Sequence, residues 1–250
     1  MSVLITGSSR GLGLDLGKLF LANNHEVVFH SRNDAQILKN NNIHSKKAIE
    51  VNFELSNFHD TQECLHELFK KRNSPNLIIC NAGSSSFLEN SEVDIQSWKN
   101  SFDNNFYSAL NIINACKVAA NNHDFKSTKQ LHIICISSIC GHEKIEGAPI
   151  QYSIAKAALN NMVKFYAKDL IKENIILNAI APGNLMFPGS LWEKKFKSTA
   201  EQKAFLEKIP SGRFVETSEI FEIIKMISSN NFKSLIGQVV IVDGGQTASF

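Results

Sequence analysis

Ser2-Val3-Leu4-Ile5-Thr6-Gly7-Ser8-Ser9-Arg10-Gly11-Leu12-Gly13 decides the fold of this chain. Ser2 to Thr6 is a short apolar run that ends on glycine, and it reads as a strand buried on both faces of a parallel sheet. Leu14, Leu16, Leu19, Phe20 and Leu21 follow at helical spacing. Strand, glycine-rich turn and helix in that order form the context a dinucleotide site requires. The glycines let the backbone come close, and the helix start offers its N–H groups and positive dipole end to a pyrophosphate. The spacing is Gly-x-x-x-Gly-x-Gly rather than Gly-x-Gly-x-x-Gly. An ordinary strand-to-helix connection is the competing reading, and the position at the first βα turn favours the cofactor loop.

Outward from this stretch the alternation continues. Residues 26–30, 47–51, 77–80, 131–136, 175–180 and 238–242 are apolar, strand-like runs. Residues 57–71 carry Phe58, Cys64, Leu65, Leu68 and Phe69 at helical spacing, and residues 94–120 carry Trp98, Phe102, Phe106, Leu110, Ile113 and Val118. A third helix spans about residues 150–172. Strands alternating with helices predict an α/β, doubly wound (Rossmann) parallel sheet of about seven strands flanked by helices. No repeat, low-complexity linker or charge block divides the chain, so residues 1–250 read as a single domain. Asn104-Asn105 falls inside the second helix, and Asn is a poor interior helix former. Either the pair faces solvent, or the helix breaks there and presents a carbonyl to the site.

Ligands of open α/β sheets bind beyond the carboxyl ends of the strands, and those ends carry the informative residues. The second strand leads to Ser31-Arg32-Asn33 with no carboxylate, and Arg10 stands in the glycine loop. Two guanidiniums suit the 2′-phosphate of NADP, whereas an NAD site wants an acid for the ribose hydroxyls. Single surface arginines are usually only solvated, but a pair in these positions favours NADP over NAD. Asn52 ends the third strand, placed to touch adenine. Asn81-Ala82-Gly83 ends the fourth, its small residues letting a ribose approach. Ser138 lies at the edge of the fifth. Ala181-Pro182-Gly183 turns the chain beside the expected nicotinamide, and Asp243-Gly244-Gly245 follows the last strand.

Tyr152 and Lys156 stand four apart on the third helix and so share a face. An ammonium near a phenol favours the phenolate and lowers its pKa. Such a phenol passes a proton to or from an alcohol or carbonyl near neutral pH. Composition narrows the alternatives. A net charge of +2 with interspersed signs does not argue for nucleic acid. Cys64, Cys80, Cys116, Cys135 and Cys140 form no CxxC pair, which predicts free thiols and a reduced, cytoplasmic setting. The eight histidines show no paired ligand spacing, so no metal is expected. No apolar run reaches the roughly 18 residues of a membrane span, and Met1 runs straight into the first strand, which predicts no signal peptide.

Together these pieces resemble the short-chain dehydrogenase/reductase family over essentially the whole length. The matching text is Thr6-Gly7-Ser8-Ser9-Arg10-Gly11-Leu12-Gly13, Asn81-Ala82-Gly83, Asn105, Ser138, Tyr152-x-x-x-Lys156, Asn178-x-x-x-Pro182-Gly183 and Asp243-Gly244-Gly245. The resemblance implies Tyr152 as general acid in carbonyl reduction and Lys156 as the group that lowers its pKa and holds the nicotinamide ribose. It also implies Ser138 as the residue orienting the carbonyl and Asn105 as the anchor of a water in a proton relay. It implies cofactor contacts from Gly7, Ser9, Arg10, Gly11, Leu12, Arg32, Asn52, Asn81, Ala82, Gly83, Tyr152, Lys156, Pro182, Gly183 and Leu185. The family often assembles as a dimer or tetramer through helices matching 94–120 and 150–173. Three positions depart from its pattern. Asn52 replaces a usual Asp, Cys80 stands where Asn is often found, and Phe187 replaces a Thr or Ser whose hydroxyl touches the cofactor.

Within the family the general likeness is to 3-oxoacyl-acyl-carrier-protein reductases, through the first loop and Ile209-Pro210-Ser211-Gly212-Arg213. Those enzymes dock an acidic carrier on basic residues. The third helix offers Lys164, Lys168 and Lys172, but Glu173 stands where an arginine is expected. About residues 184–209, with Met186, Phe187, Pro188, Trp192, Phe196 and Phe205 among lysines, suit a substrate lid with one or two short helices. Residues 182–192 look like the lid of family members in bacterial surface-sugar biosynthesis, so a sugar or nucleotide-sugar stays in view as substrate. A non-catalytic NADP-binding regulator or scaffold is the alternative of another class, and it typically lacks the Tyr or Lys that this chain keeps.

Overall fold

The computed structural model describes residues 1–32, 36–71, 74–84, 94–122, 130–187, 190–196 and 198–248. Asn33, Pro188 and Gly189, noted above, lie outside them. From the N-terminus come β1 (Ser2–Ile5), α1 (Gly11–Ala22), β2 (Glu26–Ser31), α2 (Ile37–Asn40), β3 (Ala48–Asn52), α3 (Phe58–Lys70) and β4 (Leu77–Cys80). Then follow α4 (Ile95–Phe102), a π-helical segment (Asp103–Tyr107), α5 (Ser108–Asn121), β5 (Leu131–Ile136), α6 (Ile150–Leu170) and β6 (Ile175–Pro182). The last elements are α7 (Leu191–Lys195), α8 (Thr199–Leu206), α9 (Thr217–Ile227) and β7 (Val239–Val242).

Among the described residues seven strands form one sheet in the order β3-β2-β1-β4-β5-β6-β7, every pairing parallel. This is the doubly wound parallel sheet that the alternation predicts. β1, β4 and β5 are buried at every position, because helices cover both faces. One face carries Leu65 and Leu68 of α3, Ile112 and Ile113 of α5, and Leu159 and Val163 of α6. The other carries Leu16 and Phe20 of α1 with Ile220, Phe221 and Ile224 of α9. Phe20 meets Phe221 edge-on, ring centroids 4.8 Å apart. The chain winds outward in opposite directions from β1 and β4, and their carboxyl ends open the crevice where such sheets bind ligands.

Several boundaries differ from the sequence expectations. The helix of 94–120 is interrupted by the π-helical turn at Asp103–Tyr107, which contains Asn104 and Asn105. The helix is thus broken at that pair; Asn105 turns inward to 1% exposure, and the Asn104 carbonyl accepts the Ser108 hydroxyl at 2.8 Å. β6 runs on through Ala181 and Pro182 instead of turning there. Its ladder to β5 ends at the Ile136–Ile180 pair, and Pro182 stands in register with Val242 of β7. α6 stops at Leu170, and a 3-10 turn ending at left-handed Asn174 takes the chain into β6. α2 and α9 were not anticipated, although Ile220, Phe221, Ile224 and Ile227 carry the helical period openly.

Candidate active site

The turn from β1 to α1 leaves its backbone open to the crevice. Gly7 and Gly11 sit at φ +62° and +60°, the left-handed region that glycine adopts without strain. A methyl on Gly7 would press on the Ala82 backbone at 2.8 Å. Arg10 at the N-cap of α1 makes no side-chain capping bond, and no acid occupies the first turn. The positive end of α1 therefore remains available to an anion, and the turn fits a dinucleotide pyrophosphate. Leu12 is buried behind it. The ring of Phe187 lies over this start, since a methyl on Gly11 would meet Phe187 Cε2 at 2.9 Å.

Gly7, Ser9, Arg10, Arg32, Ala82 and Gly83 line one cavity of about 150 Å³ with His30 and Ser31. The fold thus brings the two arginines to one space. It also brings Glu54 and Asp103, two carboxylates that the sequence did not place there. One Glu54 oxygen accepts from the Ser56 N–H at 3.1 Å. The Arg32 guanidinium donates to Asn104 Oδ1 at 3.3 Å, reaching the π-helical turn. Asn52 is not among the residues lining the cavity. Its amide donates to Ser31 Oγ at 3.0 Å on the edge of the sheet, and Glu54 and Leu55 reach the cavity instead.

Asn81 fastens the turn after β4 to the end of β1. Its N–H donates to Thr6 Oγ1 at 3.0 Å, and its amide donates to the carbonyls of Thr6 and Gly7 at 3.0 and 3.1 Å. Gly83 follows at a junction. A methyl there would press on Asn105 Oδ1 at 2.8 Å and touch Lys156 Nζ at 3.5 Å, so the glycine lies against both side chains. Asn105 donates to Ser84 O at 2.9 Å and Ser101 O at 3.0 Å, and accepts from Ser84 N–H at 3.2 Å. Both of its amide hydrogens are thereby engaged.

Ser138 lies two residues past β5 and accepts the Cys140 N–H at 3.2 Å, opening a single 3-10 turn. That turn is tied to α6 by Asn160, which sequence reasoning missed. Asn160 accepts from Ser137 Oγ at 2.5 Å and donates to Gly141 O at 3.2 Å. Lys156 is 4% exposed and donates from Nζ to Ile136 O at 2.8 Å. Its Nζ lies 5.7 Å from the centre of the Tyr152 ring. Burial lowers the lysine pKa to about 8, against the pull of nearby thiols. Burial also raises the Tyr152 phenol well above its ordinary value, and a hydrogen bond with the Ser138 side chain opposes this only in part. Desolvation thus dominates the phenol in this state, while the Lys156 ammonium points at the Ile136 carbonyl. A protonated phenol bonded to a serine hydroxyl, with an amine a turn below, can deliver a proton to an oxygen held between Ser138 and Tyr152.

The remaining predicted positions sit across the crevice. Gly183 N–H donates to Val242 O at 2.8 Å, and a methyl on Gly183 would lie 2.8 Å from Asp243 Cα. The Asp243 carboxylate accepts from the N–H groups of Gly245 and Thr247 and from the Thr247 hydroxyl, at 2.7 to 2.9 Å. The Pro182-Gly183 and Asp243-Gly244-Gly245 motifs therefore hold each other. Leu185 bridges to Val215, and Ser211 N–H donates to Gly244 O at 3.0 Å. Beyond them Trp192, Phe196, Phe205 and Phe214 pack together, with Lys195 Nζ 4.5 Å from the Trp192 ring centre.

A family model described as enoyl-(acyl carrier protein) reductase matches residues 7–247. The 3-oxoacyl-[acyl-carrier-protein] reductase FabG of Rickettsia prowazekii is 27% identical, covering 97% of this chain and 95% of its own. Glucose 1-dehydrogenase 2 of Bacillus subtilis is 26% identical, covering 98% and 94%. Among solved structures, the Pseudomonas aeruginosa RhlG/NADP active-site complex superposes with a TM-score of 0.84 at 22% identity, over 98% of this chain and 95% of that one. With the sheet order, the glycine turn and the match over residues 7–247 in agreement, the chain belongs to the short-chain dehydrogenase/reductase family of oxidoreductases, whose members bind a nicotinamide cofactor.

Proposed function

We propose that this protein is an NADP(H)-dependent oxidoreductase that interconverts a carbonyl and a secondary alcohol, with Tyr152 as the proton-transfer group. The observation that carries this reading is the convergence of Ser138, Tyr152 and Lys156 beyond the carboxyl end of β5. When bound, the nicotinamide supplies or takes up the hydride. Ser138 orients the carbonyl oxygen with its hydroxyl. Tyr152, like any phenol, keeps its proton at neutral pH, burial pushes it further the same way, and it is the acid for reduction. Lys156 binds the nicotinamide ribose and stabilises the phenolate left behind. Asn105 holds the Ser84 backbone beside Gly83 and so shapes the floor under Lys156, with one Oδ1 lone pair left for a water.

Gly7, Ser9, Arg10, Gly11, Leu12, Asn81, Ala82, Gly83, Pro182, Gly183 and Leu185 form the cofactor cradle in this reading, with Asn52 supporting it from behind through Ser31. Arg10 and Arg32 on one cavity support NADPH over NADH. Seating a dinucleotide on α1 requires the Phe187 ring to swing off Gly11. Residues 1–250 act as one NADP-binding domain, with about 184–209 closing over the substrate.

A 3-oxoacyl thioester is the substrate class we favour. It is supported by the relatives of that name and by Lys164 and Lys168, exposed on α6, while Lys172 is 3.7 Å from Asp169. The test is turnover of a 3-oxoacyl thioester and, in parallel, of aldoses, each with NADPH and NADH, followed by nicotinamide absorbance. Faster turnover of the thioester with NADPH supports the reading. Oxidation of an aldose alone moves the substrate to sugars, and equal use of NADH removes the assignment to the arginines.

A further inference from the structure

We infer that His30 is a positioning residue for the cofactor, its neutral imidazole holding the Gly7-Ser8 turn in the shape the dinucleotide meets. This rests on that turn being the cofactor loop. His30 is the fifth residue of β2 and 1% exposed. Its Nε2 lies 3.0 Å from Phe53 O, a group that only accepts, so Nε2 carries the ring proton. Nδ1 keeps its lone pair, and the Gly7 N–H donates to it at 3.1 Å.

The backbone completes the clasp. Ser8 N–H donates to His30 O at 2.8 Å, and His30 N–H donates to Ser8 Oγ at 2.8 Å. Ser8 Oγ in turn donates to Ile5 O at 2.8 Å. Phe53 packs against the imidazole with ring centroids 4.4 Å apart. Gly7 is where the chain leaves β1 in a left-handed conformation, so its N–H cannot join the sheet ladder and needs another acceptor. The imidazole is that acceptor, and it also lines the cavity shared with Arg10 and Arg32. The charged groups facing it are Glu54 and Arg32, of opposite sign. Burial, helped by the Arg32 guanidinium, outweighs the hydrogen bond to Phe53 O and the Glu54 carboxylate and holds its pKa down to about 4, so the lone pair persists at neutral pH.

Two isosteres separate positioning from bulk structure. His30→Asn sets an amide oxygen near the place of Nδ1 and gives up the bond to Phe53 O. His30→Gln sets an amide nitrogen near the place of Nε2 and leaves the Gly7 N–H unpaired. NADPH binding is measured by calorimetry, with KM for NADPH and kcat alongside. The expected result is a Kd about tenfold weaker for His30→Gln and within about threefold of wild type for His30→Asn, as one lost buried acceptor implies, with the loss in KM rather than kcat. Equal losses in both variants, or a larger loss in His30→Asn, overturn the inference. If neither variant folds, nitrogen NMR of the wild-type ring decides. An Nε2–H tautomer supports the inference and an Nδ1–H tautomer overturns it. A wild-type protein that binds no nicotinamide dinucleotide overturns the cofactor-loop reading beneath it.

Discussion

At Lys156 desolvation outweighs charge pairing, and the consequence is measurable. The folded protein holds this amine near a pKa of about 8, against an ordinary value of 10.5. A lysine depressed in this way costs the fold stability wherever the unfolded chain is charged and the native site resists charge. That cost is full below about pH 8 and fades as pH rises toward 10.5. Lys156→Met is therefore expected to be more stable than wild type at pH 7, by on the order of 1 to 3 kcal/mol, while losing activity. Its advantage should shrink between pH 8 and 10.5, as scanning calorimetry across that range would show. A destabilised Lys156→Met at pH 7 contradicts the account. Tyr152 and Lys156 were both legible in the sequence through their spacing and through Ser138 and the glycine turn. The dominance of burial at the phenol was not, because it depends on packing around α6, and neither was the Ile136 carbonyl that takes the ammonium. His30 and Asn160 were hidden for a related reason. Each acts by hydrogen bonds to backbone far away in sequence, which no local pattern announces.

At the scale of elements, strands were easier to read than helix ends. Leu77–Cys80 and Leu131–Ile136 matched to the residue because continuous apolar runs have sharp polar borders. The break at Asp103–Tyr107 was visible only as two asparagines, and its outcome depended on partners at Ser84 and Ser101. α9 shows how the Ile209–Arg213 motif acts structurally. Glu216 and Glu219 form a capping box at its start, and Arg213 grips the Glu219 carboxylate with two bonds at 2.7 and 2.8 Å. That grip lowers the Glu219 carboxyl to about 2. The stability it contributes is present above the ordinary 4.5 and is lost as pH falls toward 2. The pair is partly solvated, with side-chain exposures of 54% and 35%, so its share is modest. Glu219→Gln should cost about 1 kcal/mol, or roughly 2 to 4 °C of melting temperature, at pH 7. The difference from wild type should narrow on acidification toward pH 3. An unchanged melting temperature at pH 7 would remove the stabilising grip of Arg213 on Glu219.

At the scale of the molecule, one feature is left outside the core. Ile150, Ile154 and Phe165 on α6 are 58%, 45% and 69% exposed, and Ile95 of α4 is 71% exposed. Large apolar side chains in such numbers favour burial against another surface. With the family resemblance, they predict a homo-oligomer joined through α4, α5 and α6. Light scattering should give a mass of two or four chains, and Phe165→Asp should shift it toward one. A wild-type monomer at micromolar concentration contradicts this. In the proposed function one phenol at the edge of this sheet carries the proton of a nicotinamide-dependent carbonyl reduction. Its most direct test is NADPH oxidation with a 3-oxoacyl thioester by wild type and Tyr152→Phe, beside the NADPH Kd of each. The account predicts a kcat at least about a hundredfold lower in the variant, with Kd changed by no more than about threefold. A Tyr152→Phe enzyme that turns over at the wild-type rate contradicts it.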